Sequence, residues 1–336
     1  MRKLLISGVL GTAALHVACT DSENAITTLT TRDAAWIPPM TSWGEPDLRG
    51  SWPIYHLIGT PLERPEEFAE RRLMNDDEFE DVVARVNARN TRYDDEISHN
   101  KMGGGHWAEE TLALRLTSLI VDPPNGRLPE LTEEGRSLAG QMGSGWSNTV
   151  FDSIADFDSW DRCITRGLPV SMLPRNYNNG IAILQSPGYV VITLEMAHES
   201  RIIPTDGRPM LDPAIKQWLG ESRGHWEGHT LVVETTNFNG RTSMTNPGVP
   251  GSPRDPTPTT ENMRVTERFT RTSDDTMDYQ ITIEEPVVLK QPWTVGYPMR
   301  RDEAYRAFEY ACHEGNTAVR HYIETSRYER AHQTGQ

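Results

Sequence analysis

The stretch from Asp158 to Asn237 interleaves charged, amide, imidazole and aromatic side chains with short apolar runs. A polar pocket on a β-scaffold reads this way. Its carboxylates are the first candidates for chemistry, together with Glu267 further on. In Val265, Glu267 and Phe269, that glutamate occupies an apolar face at period two. A carboxylate among apolar neighbours either pairs with an arginine or keeps its proton to higher pH. The first case makes Glu267 a structural partner of an inward Arg162, Arg166 or Arg223. The second makes it a general acid or base. Glu195 and His198 end the most apolar strand, and a regular strand would point them to opposite faces. Glu284 and Glu285 follow an apolar run and read as exposed at its end.

The chain has three cysteines. With Cys19 assigned to a leader, Cys163 and Cys312 form an even pair, which favours a disulfide in an oxidising compartment. The alternative is a Cys312–His313 nucleophile pair, whose members point to opposite faces if the segment is a strand. A bridge would draw His313, Glu314 and Asn316 towards Asp161, Arg162 and Arg166. Glu267, Glu195, His198 and His313 are therefore the candidate acid–base groups. Arg162, Arg166, Arg201 and Arg223 are candidate anion holders, since guanidinium forks suit carboxyl groups. Tyr177, Asn178, Asn179, Glu314 and Asn316 would add polar contacts, and Trp160, Trp226 and Trp293 would supply walls. Asn179-Gly180 is a turn signal as well.

Other chemistries lack their signatures. His198, His225, His229 and His313 have no metal-ligand spacing. A phosphate-binding glycine loop, a Gly-x-Ser-x-Gly elbow and a Ser-x-x-Lys element are missing. The expectation is a site with neither metal nor cofactor. A net charge of −15 without a basic cluster disfavours nucleic acid.

Met-Arg-Lys followed by the apolar run Leu4–Ala18 predicts a secretory leader over residues 1–18. Cys19 after Leu-His-Val-Ala reads as a degenerate lipidation box. The protein is expected in the periplasm or at the outer membrane, lipid-anchored or secreted, touching membrane only through that anchor. Residues 19–35 read as a tether, and oligomeric state stays open.

Residues 36–150 read as an extended and helical part packing on a β-barrel domain of residues 151–330. Asn75 or Asp76 can cap a helix within Pro65–Asn90, and Thr132–Met142 suits a short one. Thr111–Val121 is apolar and ends at the turn signal Asp122-Pro-Pro-Asn-Gly126. Strands are expected at Gly180–Leu184, Tyr189–Met196, Arg201–Pro204 and Thr230–Asn237. More follow at Arg264–Arg271, Thr276–Glu284, Trp293–Met299 and Tyr305–Cys312. Meandering strands of this kind predict a mainly β fold, an antiparallel lipocalin-like (calycin) barrel, with a β-sandwich as the alternative. Gly50-Ser-Trp52 is similar to the opening Gly-x-Trp of lipocalin-like barrels.

Several phrases together carry a wider resemblance. They are Pro46-Asp-Leu-Arg-Gly-Ser-Trp52, Thr60-Pro-Leu-Glu-Arg-Pro65, Trp160-Asp-Arg-Cys-Ile-Thr-Arg-Gly-Leu-Pro169, Tyr177-Asn-Asn-Gly180 and Arg201-Ile-Ile-Pro204. Trp226-Glu-Gly228, Val233-Glu-Thr-Thr-Asn-Phe238 and Cys312-His-Glu-Gly-Asn316 continue them. The chain resembles a large group of secreted, functionally uncharacterised proteins of environmental bacteria. His229 stands where that group's turn has an Asp. The resemblance implies secretion and no particular activity. The functional expectation is acid–base chemistry on a small polar or anionic molecule, by a lyase, isomerase or hydrolase. The alternative is a lipocalin-like small-molecule-binding lipoprotein without catalysis.

Overall fold

A computed structural model describes residues 36–333. The leader 1–18, Cys19 and the tether 19–35 lie outside the described residues. The described residues form ten strands and three α-helices. They are β1 (Gly50–Ser51), α1 (Asp76–Ser98), β2 (Ile120–Asp122), α2 (Glu133–Ala139), β3 (Ile181–Ser186), β4 (Tyr189–Leu194), β5 (Ser200–Pro204), β6 (Glu221–Glu227), β7 (Thr230–Thr236), β8 (Arg264–Arg271), β9 (Thr276–Glu284), β10 (Trp293–Arg300) and α3 (Ala318–Gln333).

The strands form two antiparallel sheets, ordered β1-β3-β4-β5 and β2-β10-β9-β8-β7-β6. The fold is thus mainly β, but the hydrogen-bonded ladder does not close into a barrel. Instead the sheets share one apolar core. Ile183, Ile192 and Ile203 come from the first sheet, and Val233, Phe269, Ile281 and Val295 from the second. Leu48, Trp52, Leu62 and Leu119 belong to that core too. The N-terminal part is therefore woven into both sheets through β1 and β2.

Alternation dictates most of this. Along β8 the side chains of Val265, Glu267, Phe269 and Arg271 are buried, and those between are not. The β8–β9 hairpin pairs Glu267 with Ile281 and Phe269 with Tyr279. In α1, Asn75 and Glu78 form a reciprocal capping box, which satisfies two otherwise unpaired N–H groups. The helix runs eight residues beyond Asn90. It packs against the 104–112 segment, where Asn90 Nδ2 donates to the Thr111 carbonyl at 3.1 Å.

The apolar run Thr111–Val121 is mostly irregular, and only its end enters β2. Two expectations come out differently. Tyr305–Cys312 is an irregular strap rather than a strand. Glu284 is exposed, but Glu285 is buried and accepts from the backbone N–H and hydroxyl of Thr260 at 2.7 and 2.9 Å. Among the described residues no helix is long and apolar enough to cross a membrane.

Candidate functional site

The site is built on the loop from Asp158 to Gly167. Asp158 folds it by accepting the Asp161 N–H, three residues on, at 2.7 Å. Ser159 closes it, its hydroxyl donating to the Thr165 carbonyl at 2.8 Å and its own carbonyl accepting from Ile164. Cys163 and Gly167 take left-handed conformations that reverse the chain at either side of Arg166. Glu199 then clamps the loop to the first sheet. It accepts from the Thr165 hydroxyl, from the Arg166 backbone N–H at 3.3 Å and from the Ser171 hydroxyl at 2.7 Å.

A disulfide joins Cys163 to Cys312, with Cα atoms 5.7 Å apart. It ties the loop to the strap. Two residues just past β4, Glu195 and His198, hold the strap through three hydrogen bonds. Glu195 accepts from the Tyr305 hydroxyl at 2.5 Å and the Phe308 N–H at 2.6 Å. His198 Nε2 accepts from the Tyr310 N–H at 3.2 Å. Ala197 and His198 both adopt left-handed backbone there, breaking the strand pattern. The strap thereby lays Tyr310 against Trp160, ring centres 5.4 Å apart, and parallel to Tyr177 at 6.5 Å.

Between these pieces lies a cleft of two lobes. The first, about 470 Å³, is lined by Trp107, Trp146, Trp160, Tyr177, Arg166 and Arg175, with Asn176, Asn246 and Gly248. The second, about 360 Å³, shares Trp160, Arg166 and Asn246 and adds Asp158, Arg162 and the hydroxyls of Thr242, Ser243, Thr245 and Thr259.

The arginines set the electrostatics. Arg166 is 6 % exposed and Arg175 3 %. The Arg166 guanidinium carbon lies 3.4 Å from the centre of the Trp160 ring, and its Nη2 donates to the Met196 sulfur. Arg175 Nη1 donates to Asn246 Oδ1 at 3.0 Å. Arg166 Nε, Arg175 Nε and Arg175 Nη2 are buried without a partner. Neither residue forms an ion pair with a described carboxylate. Burial pulls Arg166 down to about 10. Burial, and then the neighbouring Arg166, pull Arg175 well below its ordinary value. Two unpaired guanidiniums in a low-dielectric wall are costly, and a bound anion relieves both the desolvation and the mutual repulsion. Gly248 lets the loop pass close to them, since a Cβ there would sit 2.6 Å from Arg175 Nη1.

Asp158 faces the second lobe. Burial first, and then the Asp161 carboxylate, raise it to about 6. Tyr310 is pushed up by burial and by Tyr177.

The structure gathers some of the expected residues and scatters others. Arg162, Arg166 and Tyr177 line the cleft. Asn178 and Asn179 lie behind it. Asn178 donates to Glu195 at 2.9 Å, and Asn179 Oδ1 accepts the Arg175 N–H at 2.8 Å. Glu195 is occupied as the strap's anchor, accepting also from Gly180 N–H at 3.0 Å. His313 and Glu314 are exposed, while Asn316 donates to the Asp161 carbonyl at 3.3 Å.

Glu267 lies away from the cleft, fully buried in the core. Its partner is Arg201, bound through both terminal nitrogens, one at 2.9 Å, rather than Arg162, Arg166 or Arg223. The Tyr279 hydroxyl donates to it at 2.8 Å. This takes both Glu267 and Arg201 out of the candidate site. Arg223 pairs with Glu221 and donates to the Pro209 carbonyl on the far side of β6. Trp226 packs on the core and Trp293 is buried within it, so neither walls the cleft.

Sequence reasoning missed Arg175, Asp158, Trp107, Trp146 and Tyr310. Arg175 does carry one signal, an arginine in the otherwise apolar run Leu173-Pro-Arg175 just before the Asn-Gly turn. Among the described residues no group of three or more His, Cys, Asp or Glu is arranged to hold a metal ion. The chain matches no family model, and neither a curated protein nor a solved structure is significantly similar to it.

Proposed function

We propose that this is an exported protein that binds a small organic anion in the two-lobed cleft, with the anionic group held between Arg166 and Arg175. The observation carrying the reading is that two buried guanidiniums, neither ion-paired with a described carboxylate and each keeping an unpartnered N–H, belong to residues lining one cavity. Arg201, by contrast, is buried against the Glu267 carboxylate, and the buried Arg64 and Arg271 donate to backbone carbonyls. A ligand carboxylate would complete the set.

Catalysis is a second reading, and Asp158 favours it. A carboxyl group titrating at about 6, beside the arginine that would hold the anion, suits proton exchange with a bound substrate. That keeps metal-independent acid–base chemistry on an anionic molecule, with Asp158 in the role first considered for Glu267 and His313.

The disulfide suits an oxidising compartment, in keeping with the leader and with lipidation at Cys19. The motif resemblance to secreted bacterial proteins points the same way. We read the two sheets around one core as kin to the lipocalin-like barrel, with the hydrogen-bonded ladder interrupted between β5 and β6 and between β1 and β2. The test is a thermal-shift screen with a panel of small carboxylates and phosphates. A ligand of the folded state must raise the melting temperature. If no anion stabilises the protein while neutral polar compounds do, the reading is wrong.

A further inference from the structure

The lobe that holds the arginines is walled by rings. Trp107, Trp146, Trp160 and Tyr177 line it, and Tyr310 backs Trp160 and Tyr177. Trp107 meets Tyr177 edge-on, ring centres 5.5 Å apart. Trp107 and Trp146 are each 57 % exposed at the mouth. Large aromatic surfaces left uncovered around a concave site mark a place where something apolar is received. The charged residues lining this lobe are Arg166 and Arg175, both buried, while the two most exposed rings stand at its edge. A ligand filling it must therefore be anionic at one end and flat and apolar over the rest.

The form of the anion follows from the donors. A guanidinium fork matches a planar carboxylate in two parallel hydrogen bonds. A phosphate dianion is more strongly hydrated, and the ring walls give it little in return. Asp158, across the shared Trp160–Arg166 partition, adds a negative charge that opposes a dianion more than a monoanion. At about 470 Å³ the lobe is of the size that takes a one- or two-ring molecule.

We infer that the ligand is an aromatic carboxylate. Its ring lies among Trp107, Trp146, Trp160 and Tyr177, and its carboxylate meets Arg166 and Arg175. This rests on the proposal that the cleft binds an anion, and it narrows the class.

The experiment is calorimetric titration of the purified chain at pH 8, where Asp158 and every probe are ionised, with benzoate, 2-naphthoate, cyclohexanecarboxylate and inorganic phosphate. Benzoate and 2-naphthoate should bind at least about 5-fold more tightly than cyclohexanecarboxylate, the increment ring–ring contacts add beyond area burial. Phosphate should be weakest. Trp107→Ala and Trp146→Ala should each weaken 2-naphthoate about 5-fold or more while leaving phosphate unchanged. Both side chains are half-exposed, so an unchanged melting temperature checks the fold. If cyclohexanecarboxylate or phosphate binds as well as benzoate, the aromatic class falls while anion binding stands. If no probe binds, both fall.

Discussion

Arg201 grips Glu267 inside the core through both terminal guanidinium nitrogens, and Ser222 and Thr235 take the remaining Nη2 contacts at 3.2 and 3.3 Å. With Tyr279 donating to the same carboxylate, the cluster joins β5, β6, β7, β8 and β9 across the two sheets. Its role is structural. Glu267→Gln removes the charge and leaves Arg201 buried and unpaired, at a cost of about 3–5 kcal/mol. The variant should melt several degrees lower yet bind ligand as the parent does, once both are measured well below their transitions. Unchanged stability would mean that the pair is solvated.

The disulfide should matter for the cleft as well as for the fold. It closes a loop spanning 149 positions, for which the chain-entropy model allows up to about 5 kcal/mol. It also keeps Tyr310 against Trp160 and Tyr177. Cys163→Ser combined with Cys312→Ser should lower the melting temperature. It should also weaken ligand binding at temperatures where circular dichroism still reports a folded chain. Loss of stability with intact affinity would show that Glu195 and His198 hold the strap without the bridge.

Asp158 and Glu109 should cost the fold stability as pH rises to neutral. Asp158 titrates at about 6 in the fold, above the usual carboxylate range. Burial, the largest cause, also raises Glu109, which shares the Tyr305 hydroxyl with Glu195. Groups raised in this way favour the folded state when protonated. Their contribution is present below the unfolded carboxylate range and is lost as pH rises through about 6. On the acid side, Glu78 and Asp206 are held down to about 2 by Arg71 and Arg208. Their contribution disappears as pH falls towards that value. His56, whose imidazole is pulled down to about 4 by burial, works the other way over the same range, so the test is a difference between variants. Asp158→Asn should gain melting temperature relative to the parent on going from pH 5 to pH 7. A difference that does not grow over that range would contradict this.

Much of the fold was legible because sheet burial alternates. Val265, Glu267 and Phe269 announced their inward face, and the β8–β9 hairpin follows from two such runs around Asp274-Asp275. β6 escaped notice because its buried positions begin with Glu221 and Ser222, polar residues whose partners come from distant segments. α3 escaped because its residues are mostly exposed and polar, leaving little helical periodicity to read. The strap was mistaken for a strand. Tyr305, Phe308 and Tyr310 suggest one, but their backbone and hydroxyl groups bond Glu195 and His198 instead of a neighbouring ladder. For the site, Arg166, Arg162 and Tyr177 were found through their motif. Which arginine meets which carboxylate was not readable, because such pairing is decided by sheet register over long separations, as with Arg201 and Glu267.

Calorimetric titration of benzoate into the parent and into Arg175→Met tests the central claim most directly. Methionine fills the same space without a charge, and Asn246 Oδ1 still accepts the Gly248 N–H at 2.9 Å. Removing a buried, unpaired guanidinium should leave the melting temperature unchanged or raise it. Binding should weaken by the worth of a charge-assisted hydrogen bond, about 1.5–3 kcal/mol, or roughly 10- to 150-fold in Kd. Undiminished affinity in a folded Arg175→Met variant would contradict the account.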